Sequence, residues 1–503
     1  MPHKKRPVSP PDSPQPGRWV LSHGEIRTIV FGLMLAMFLA ALNQTIVATA
    51  LPTIGREFRD FELLPWVVTA YLLTSTAVAP LYGKLSDIHG RRAMMLASIG
   101  IFIAGSAACA VAPDMIMLIL GRGLQGVGGG GILPLAQAIL ADAVAPRERG
   151  RYQAYMGSVW VTAGLGGPVL GGVLAEHFHW SMIFWINVPV GLVAALMAHK
   201  ALARLPRHDR KHKLDLLGAG LMMASAIPLL LALTWGGTRY PWLSLPIATL
   251  VVASGVLSML FAWRLTQASE PFLPLPVLAN PIMRMGTVCT SFSQAVAIGL
   301  TIFLPLYYEV VHGFSASDAG LALIPIVVMS TPGSILSGRA MMHVEHYKRV
   351  PLICLAGSIA ALALLVWNPA IPPIAVAAVL SVVAFGIGTS YPVGTVSIQN
   401  AVSRYQVGAA MGGMNFFRGL TAAFVVAAMG AIVLAAFGVS PGRGGSVTAV
   451  TSAATGLGVN VAHAFRGVFA LGVLCLIVSL IALIRMEERP LRGPSEDGPP
   501  PVA

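Results

Sequence analysis

Two arginines stand deep inside long apolar stretches of this 503-residue chain: Arg122 in the run Met115–Ala141 and Arg418 in the run Gln406–Phe437. A guanidinium keeps its charge in any protein setting. At the centre of a membrane helix it costs about 2.5–3.5 kcal/mol on insertion scales, so each should face protein or water, not lipid. Such a group can hold an anion or set the charge of a neighbour. It can equally be a structural arginine bound to backbone carbonyls, and both readings stand for Arg122. The complementary species would be a buried carboxylate, whose pKa rises with desolvation until it can carry a proton near neutrality. None of the 20 acids lies well inside an apolar run. Asp142 closes the fourth run and is expected to anchor Arg147 or Arg149. Glu309, after Tyr307-Tyr308, closes the ninth. It is the best candidate proton carrier, against the plainer reading of a solvated rim carboxylate. His199 and His312 also lie at run ends. Cys109, Cys289, Cys354 and Cys475 sit within apolar runs at spacings that match no metal or redox motif. They read as small core residues, and no metal or cofactor is expected.

The elements that must position these groups are membrane helices. Hydrophobic residues make up 56% of the chain and charged ones only 11%, against roughly 25% charged in soluble domains. Fourteen apolar runs recur, from Arg27–Ala50 to His463–Ile484. Each is continuous, not alternating, which excludes a barrel of strands. The net charge of +13 raises a nucleic-acid partner, but its distribution argues against one. With the N-terminus in the cytoplasm, only Arg56, Arg59, Arg239 and Arg443 fall in outer loops, and Arg122, Arg418 and Arg466 fall within runs. All other Lys and Arg fall on the cytoplasmic side, as the positive-inside rule requires. The charge therefore sets topology, and no nucleic acid is expected. Gly438 to Val461 reads as a flexible outer loop.

Glycine-rich and charged stretches punctuate the runs. Gly83-Lys84-Leu85-Ser86-Asp87-Ile88-His89-Gly90-Arg91-Arg92 separates the second from the third. It reads as a loop in which Gly83 and Gly90 allow a tight reversal. Asp87, Arg91 and Arg92 then place charge against two helix ends. A degenerate second copy, Thr331-Pro332-Gly333 followed by Ser337-Gly338-Arg339, lacks the aspartate. Gly121-Arg122-Gly123-Leu124-Gln125-Gly126 allows close helix approach. In Gly164-Leu165-Gly166-Gly167-Pro168-Val169-Leu170-Gly171-Gly172, Pro168 removes a helix hydrogen bond and the glycines permit bending. Gly126-Val127-Gly128 has no preceding strand and lies inside a run, so no nucleotide site is expected.

The first stretch resembles the G-x-L-x-D-x-x-G-R-[KR] signature of major facilitator transporters. Arg122 to Gly126 resembles their R-x-x-Q-G motif, and Gly164 to Gly172 resembles the G-x-x-x-G-P-x-x-G-G motif of the exporters among them. With Leu42 to Pro52, Pro65 to Leu73, Trp180, Asn187-Val188-Pro189-Val190-Gly191 and fourteen runs, the chain is similar to drug:proton antiporters of the EmrB/QacA type. The resemblance implies an all-α integral membrane protein with the major facilitator fold and 14 transmembrane helices, arranged 6 + 2 + 6 with two pseudo-symmetric six-helix bundles. The implied divisions are a disordered cytoplasmic tail at 1–25, a bundle at 26–203, two extra helices with linkers at 204–280, a bundle at 281–486 and a tail at 487–503. The implied activity is secondary export of amphipathic small molecules (multidrug efflux) across the plasma (inner) membrane by proton antiport, with both termini cytoplasmic. The alternatives are a dedicated exporter of one metabolite or natural product without proton coupling, and a non-transporting sensor or scaffold. No enzyme is expected. The resemblance assigns gating to Gly83, Asp87, Gly90, Arg91, Arg92, Gly164, Gly167, Pro168, Gly171 and Gly172. Asn43, Gln44, Arg122, Gln125, Glu309, Arg418 and Asn415 are the candidates for a coupling or substrate cavity, and Trp66, Tyr71, Phe416 and Phe417 read either as its aromatic walls or as ordinary packing.

One departure matters. Similar transporters read L-D-x-T-I-V where this chain has Leu42-Asn43-Gln44-Thr45-Ile46-Val47, and an amide cannot carry a proton. At 1.5 Å per residue, Asn43 and Arg122 both lie about 12 Å below the outer end. If their helices adjoin, as the resemblance implies, Asn43 accepts a hydrogen bond from Arg122. With no carboxylate opposite Arg122 or Arg418, the cavity is expected to be positive. It would then favour anionic, zwitterionic or neutral amphiphiles over dications.

Overall fold

A computed structural model describes residues 22–60, 63–204, 214–436 and 461–491. The expected terminal tails lie largely outside the described residues, as does the Gly438 to Val461 loop except for its last residue. Among the described residues the chain is all-helical, without a β-strand. Fourteen helices are long and apolar enough to cross a membrane. They are span 1 (Gly24–Phe58), span 2 (Leu64–His89), span 3 (Arg91–Ala110), span 4 (Met115–Ala143), span 5 (Pro146–Leu174), span 6 (Met182–Ala201) and span 7 (Leu216–Trp235). Span 8 (Leu245–Gln267), span 9 (Pro281–His312), span 10 (Asp318–His343), span 11 (Arg349–Trp367), span 12 (Pro373–Ala401), span 13 (Val407–Ala436) and span 14 (Phe465–Arg485) follow. Successive spans run in opposite directions. One end of the assembly, the basic face, carries Arg91, Arg92, Arg147, Arg149, Arg264 and Lys348; the far face carries Arg56, Arg59 and Arg239.

Local sequence sets the helix starts. Ser22 and Glu25 form a reciprocal capping box at span 1. Asp114, Asp215 and Asn280 each accept backbone N–H groups at the starts of spans 4, 7 and 9, satisfying donors that have no helical partner. Span 10 is interrupted around Ala322 and Met329.

Spans 1–6 enclose one apolar core, including Leu33, Ile99, Phe102 and Leu135. Spans 9–14 enclose another, including Val296, Leu355, Leu380 and Phe469. Spans 7 and 8 pair with each other, and span 7 lies against spans 2 and 13. Their small core takes in Ala219, Met222, Leu265 and Phe272 together with Phe416 of span 13. The order six, two, six follows.

Two sequence expectations are corrected here. Gly83 to His89 is not a loop: span 2 continues through His89, and Gly90 alone, at φ 89°, makes the turn. The polar residues of that stretch ended the apolar run without ending the helix. Asp142 does not anchor Arg147 or Arg149. It pairs with Arg91 at 2.8 Å. Arg149 instead donates to the carbonyls of Val144 and Ala141, and Arg147 reaches the Met342 carbonyl across the seam.

Candidate functional site

The two six-span units meet along two seams, span 2 on span 13 and span 5 on span 10. Glycine makes the first possible. A Cβ on Gly83 would collide with the Gly408 carbonyl and press on Gly412. The second seam repeats the device: Gly338 and Gly150 meet backbone to backbone. This is the degenerate repeat seen in the sequence.

Asp87 fastens the first seam. Its carboxylate accepts the N–H groups of Gly408 at 3.1 Å and Ala409 at 2.9 Å, in the first turn of span 13. A helix start favours an anion, because its N–H groups are unpaired and the dipole is positive there. Arg91 donates to Asp87 at 2.6 Å, to Ser86 at 2.5 Å and to Asp142 at 2.8 Å. Two carboxylates share one guanidinium, so the trio keeps one net negative charge facing span 13. Arg92 lies outside this group and meets the His199 ring at 2.7 Å.

Arg122 is 1% exposed and lies inside the first unit. It donates to the Val67 carbonyl at 2.8 Å and to Gln125 Oε1 at 2.5 Å. Its guanidinium carbon stands 4.5 Å from the Tyr71 ring centroid, a cation–π contact. Gln125 in turn donates to Asn43 Oδ1 at 3.0 Å and to Ser106 at 2.6 Å. The expected Asn43–Arg122 hydrogen bond is therefore relayed through Gln125. Asn43 is fully buried, while its neighbour Gln44 is exposed.

A second polar cluster bridges the units just above the Asp87 clamp. Gln137 of span 4 donates to the Tyr391 hydroxyl at 2.5 Å and accepts from Asn415 Nδ2 at 2.6 Å. Gln399 donates to the Gln137 carbonyl at 3.0 Å. Arg418 donates from NH1 to Asn415 Oδ1 at 3.0 Å and lies 4.9 Å from the Tyr391 ring centroid. Its Nε is buried without a partner. At 1.5 Å per residue, Gln137 lies about 9 Å and Arg418 about 17 Å from the basic face. Gln137 and Tyr391 were not singled out from sequence. A neutral amide or phenol inside an apolar run was the available signal. The hydrogen bonds named here that cross between the six-span units lie in the basic half.

The remaining candidates scatter. Gly167 and Gly171 press on Thr45, Ile46 and Thr49 of span 1, and Thr45 donates to the Ala163 carbonyl at 2.9 Å. Gly164 faces Val327 of span 10, whereas a Cβ on Gly172 would meet nothing. Pro168 lies within span 5, at the place where the helix lacks a backbone N–H. The expected aromatic walls do not form one surface. Trp66 meets Trp235 of span 7 edge-on at 5.6 Å, Tyr71 lies beside Arg122, and Phe416 packs into the core of spans 7 and 8. Glu309 is half-buried at the far-face end of span 9 and has no side-chain partner among the described residues.

Comparison with known proteins agrees with this architecture. Residues 33–426 match the family model of the Major Facilitator Superfamily. An uncharacterized MFS-type transporter of Mycobacterium tuberculosis (strain ATCC 25618 / H37Rv) is 34% identical over 427 residues, covering 85% of this chain and 62% of that protein. The chain thus spans 62% of the length of that relative. The multidrug transporter protein MdtP of Bacillus subtilis (strain 168) is 30% identical over 414 residues, covering 82% and 76%. The crystal structure of the human organic anion transporter MFSD10 (TETRAN) superposes with a TM-score of 0.62 at 17% identity, over 90% of this chain and 99% of that one, a likeness of fold. The family and these relatives are transporters, not enzymes, and the chain belongs to the major facilitator superfamily of multi-pass membrane transporters.

Proposed function

We propose that this protein is a secondary exporter of amphipathic small molecules, of the fourteen-span drug:proton antiporter type. It would work in the plasma (inner) membrane with its basic face and both termini in the cytoplasm. The observation that carries the reading is the clamp of Asp87 on the first turn of span 13, seated on the Gly83–Gly408 contact. The two units touch there through backbone and a few polar groups, beside one small apolar cluster in which Ala138 and Ala141 meet Met283, Val407 and Met411. Such a contact can part and re-form as one unit rocks against the other, giving alternating access to the polar groups above it. The multidrug transporter among the relatives supports efflux. The Lys and Arg asymmetry supports the topology.

Protons are the proposed driving ion, with Glu309 as their carrier. It is the half-buried carboxylate with no partner among the described residues in the spans of the second unit. A second reading, a dedicated exporter without proton coupling, is favoured by one observation: Asn43, an amide, occupies the place of the family's acid. Reconstituted protein under an imposed pH gradient separates them. Gradient-driven efflux that Glu309→Gln abolishes supports antiport through Glu309. Efflux indifferent to the gradient supports the second reading, and no movement of any amphiphile removes both.

A further inference from the structure

We propose that Arg418 binds the acidic group of the transported molecule, so that the site between the units selects amphiphiles carrying a carboxylate or sulfonate. This rests on the transport reading above and names its substrate class.

Arg418 lies about 17 Å from the basic face at 1.5 Å per residue, near the middle of a bilayer core roughly 30 Å thick. It is half-buried, and no carboxylate lies within ion-pair distance among the described residues. Its hydrogen bonding in the structure is a single donation, NH1 to Asn415 Oδ1, although a guanidinium offers five N–H groups in a planar fork. The Tyr391 ring at 4.9 Å fixes the plane of the group without neutralising it. Arg122, the other deep cation, cannot take this part. It is 1% exposed, and the Val67 carbonyl, Gln125 and the Tyr71 ring occupy it. A cation held in low dielectric with unused donors is a site for an oxyanion, which a guanidinium can bind through two parallel hydrogen bonds.

The same geometry links occupancy to movement. Asn415 accepts from Arg418 with its oxygen and donates to Gln137 of the other unit with its nitrogen. An acid that draws the guanidinium away from Asn415 loosens the amide that joins the units. Binding thereby weakens the closure just above the Asp87 clamp.

The test uses the full-length protein in detergent and two fluorescent amphiphiles with the same ring system, dansylglycine (anionic) and dansylcadaverine (cationic). The native protein is expected to bind dansylglycine the more tightly. Arg418→Gln should weaken dansylglycine by about tenfold or more, the scale of one lost charge-assisted hydrogen bond, and leave dansylcadaverine no weaker. Arg418→Lys keeps the charge and should retain the anion preference at reduced affinity. It also serves if the glutamine variant does not fold. Equal weakening of both probes, no change in either, or no binding of dansylglycine to the native protein would overturn the assignment. Proteoliposomes separate the two readings. Dansylglycine bound through Arg418 but never moved removes the export reading and leaves the site. Movement of both probes without charge preference removes the site and leaves export.

Discussion

Asn43 and Arg122 do not touch: Gln125 stands between them, accepting from Arg122 at 2.5 Å and donating to Asn43 at 3.0 Å. Asn43 Oδ1 also lies 3.4 Å from Asn187 Nδ2, while its own Nδ2 is buried without a partner. The pocket thus turns two donors to its one oxygen. It suits a carboxylate better than the residue it holds. Asn43→Asp is therefore expected to fold and to add a titratable group beside Gln125 and Asn187. Efflux from proteoliposomes should then depend more steeply on an imposed pH gradient than in the native protein. Identical gradient dependence in the two would show that position 43 has no part in coupling.

Gln125 itself ties three residues together, Arg122, Asn43 and Ser106. Gln125→Leu strands the Arg122 guanidinium on the Val67 carbonyl and leaves Asn43 and Ser106 without their donor. Unsatisfied buried groups cost about 1–3 kcal/mol each. The melting temperature of the purified protein should fall clearly, with no change in the anion preference assigned to Arg418. A variant as stable as the native protein would mean that the network carries little of the fold of spans 1–6.

The clamp gives an ordered pair of substitutions. Asp87→Asn places an amide where two backbone N–H groups now meet a carboxylate, so one donor faces another and the charge at the start of span 13 is lost. Asp142→Asn removes only the outer ion pair to Arg91. Efflux should fall by about tenfold or more in the first, as for one lost charge-assisted bond, and by less in the second. The reverse order would mean that the Arg91–Asp142 pair, not the helix start, holds the basic face closed.

Much of this was legible in the sequence, and the failures have physical causes. Fourteen spans could be counted because continuous apolar runs of membrane length admit few other readings. Asp87, Arg91 and Arg122 stood out because charge beside apolar sequence is costly and needs a partner. Gly83 was misplaced because an apolar run ends where polar residues begin, whereas span 2 continues through Lys84 and Asp87 to His89. Its glycine serves close packing on Gly408, not a turn. Asp142 was given local partners, yet its partner lies on span 3. Gln137 went unseen because a single neutral amide barely lowers the hydropathy of a run, and its partners Tyr391 and Asn415 lie on spans 12 and 13. Pairing across the units is a property of the fold that no local pattern encodes.

The glycine seam can be probed by adding bulk. Gly83→Val sets side-chain atoms against the Gly408 carbonyl and should hold the basic face open. A cysteine at Ala141, buried in the cluster of Met283, Val407 and Met411 beneath the seam, reports this. Its labelling by an impermeant maleimide from the basic side should rise by about tenfold, the effect of a bias of about 1.4 kcal/mol. Gly166→Val, where a Cβ meets nothing within 4 Å, should leave labelling unchanged. Equal rates in all three proteins would show that the Gly83–Gly408 contact does not govern access.

For Phe416 the sequence leaves two readings open, a cavity wall or ordinary packing. As a cavity wall it would govern affinity. In the structure it is 6% exposed and packs with Met222, Leu265 and Phe272 beneath spans 7 and 8. Truncating a buried phenylalanine to alanine costs about 3–5 kcal/mol in well-packed cores. Phe416→Ala should therefore lower thermal stability and weaken the seating of the extra pair, while the affinity for dansylglycine stays within about twofold, a change of under 0.5 kcal/mol. Its neighbour Phe417 faces outward and should tolerate alanine with a smaller loss. A loss of affinity at Phe416 without a loss of stability would return this ring to the binding surface. Spans 7 and 8 would then border the substrate path, no longer only bracing spans 2 and 13 from outside.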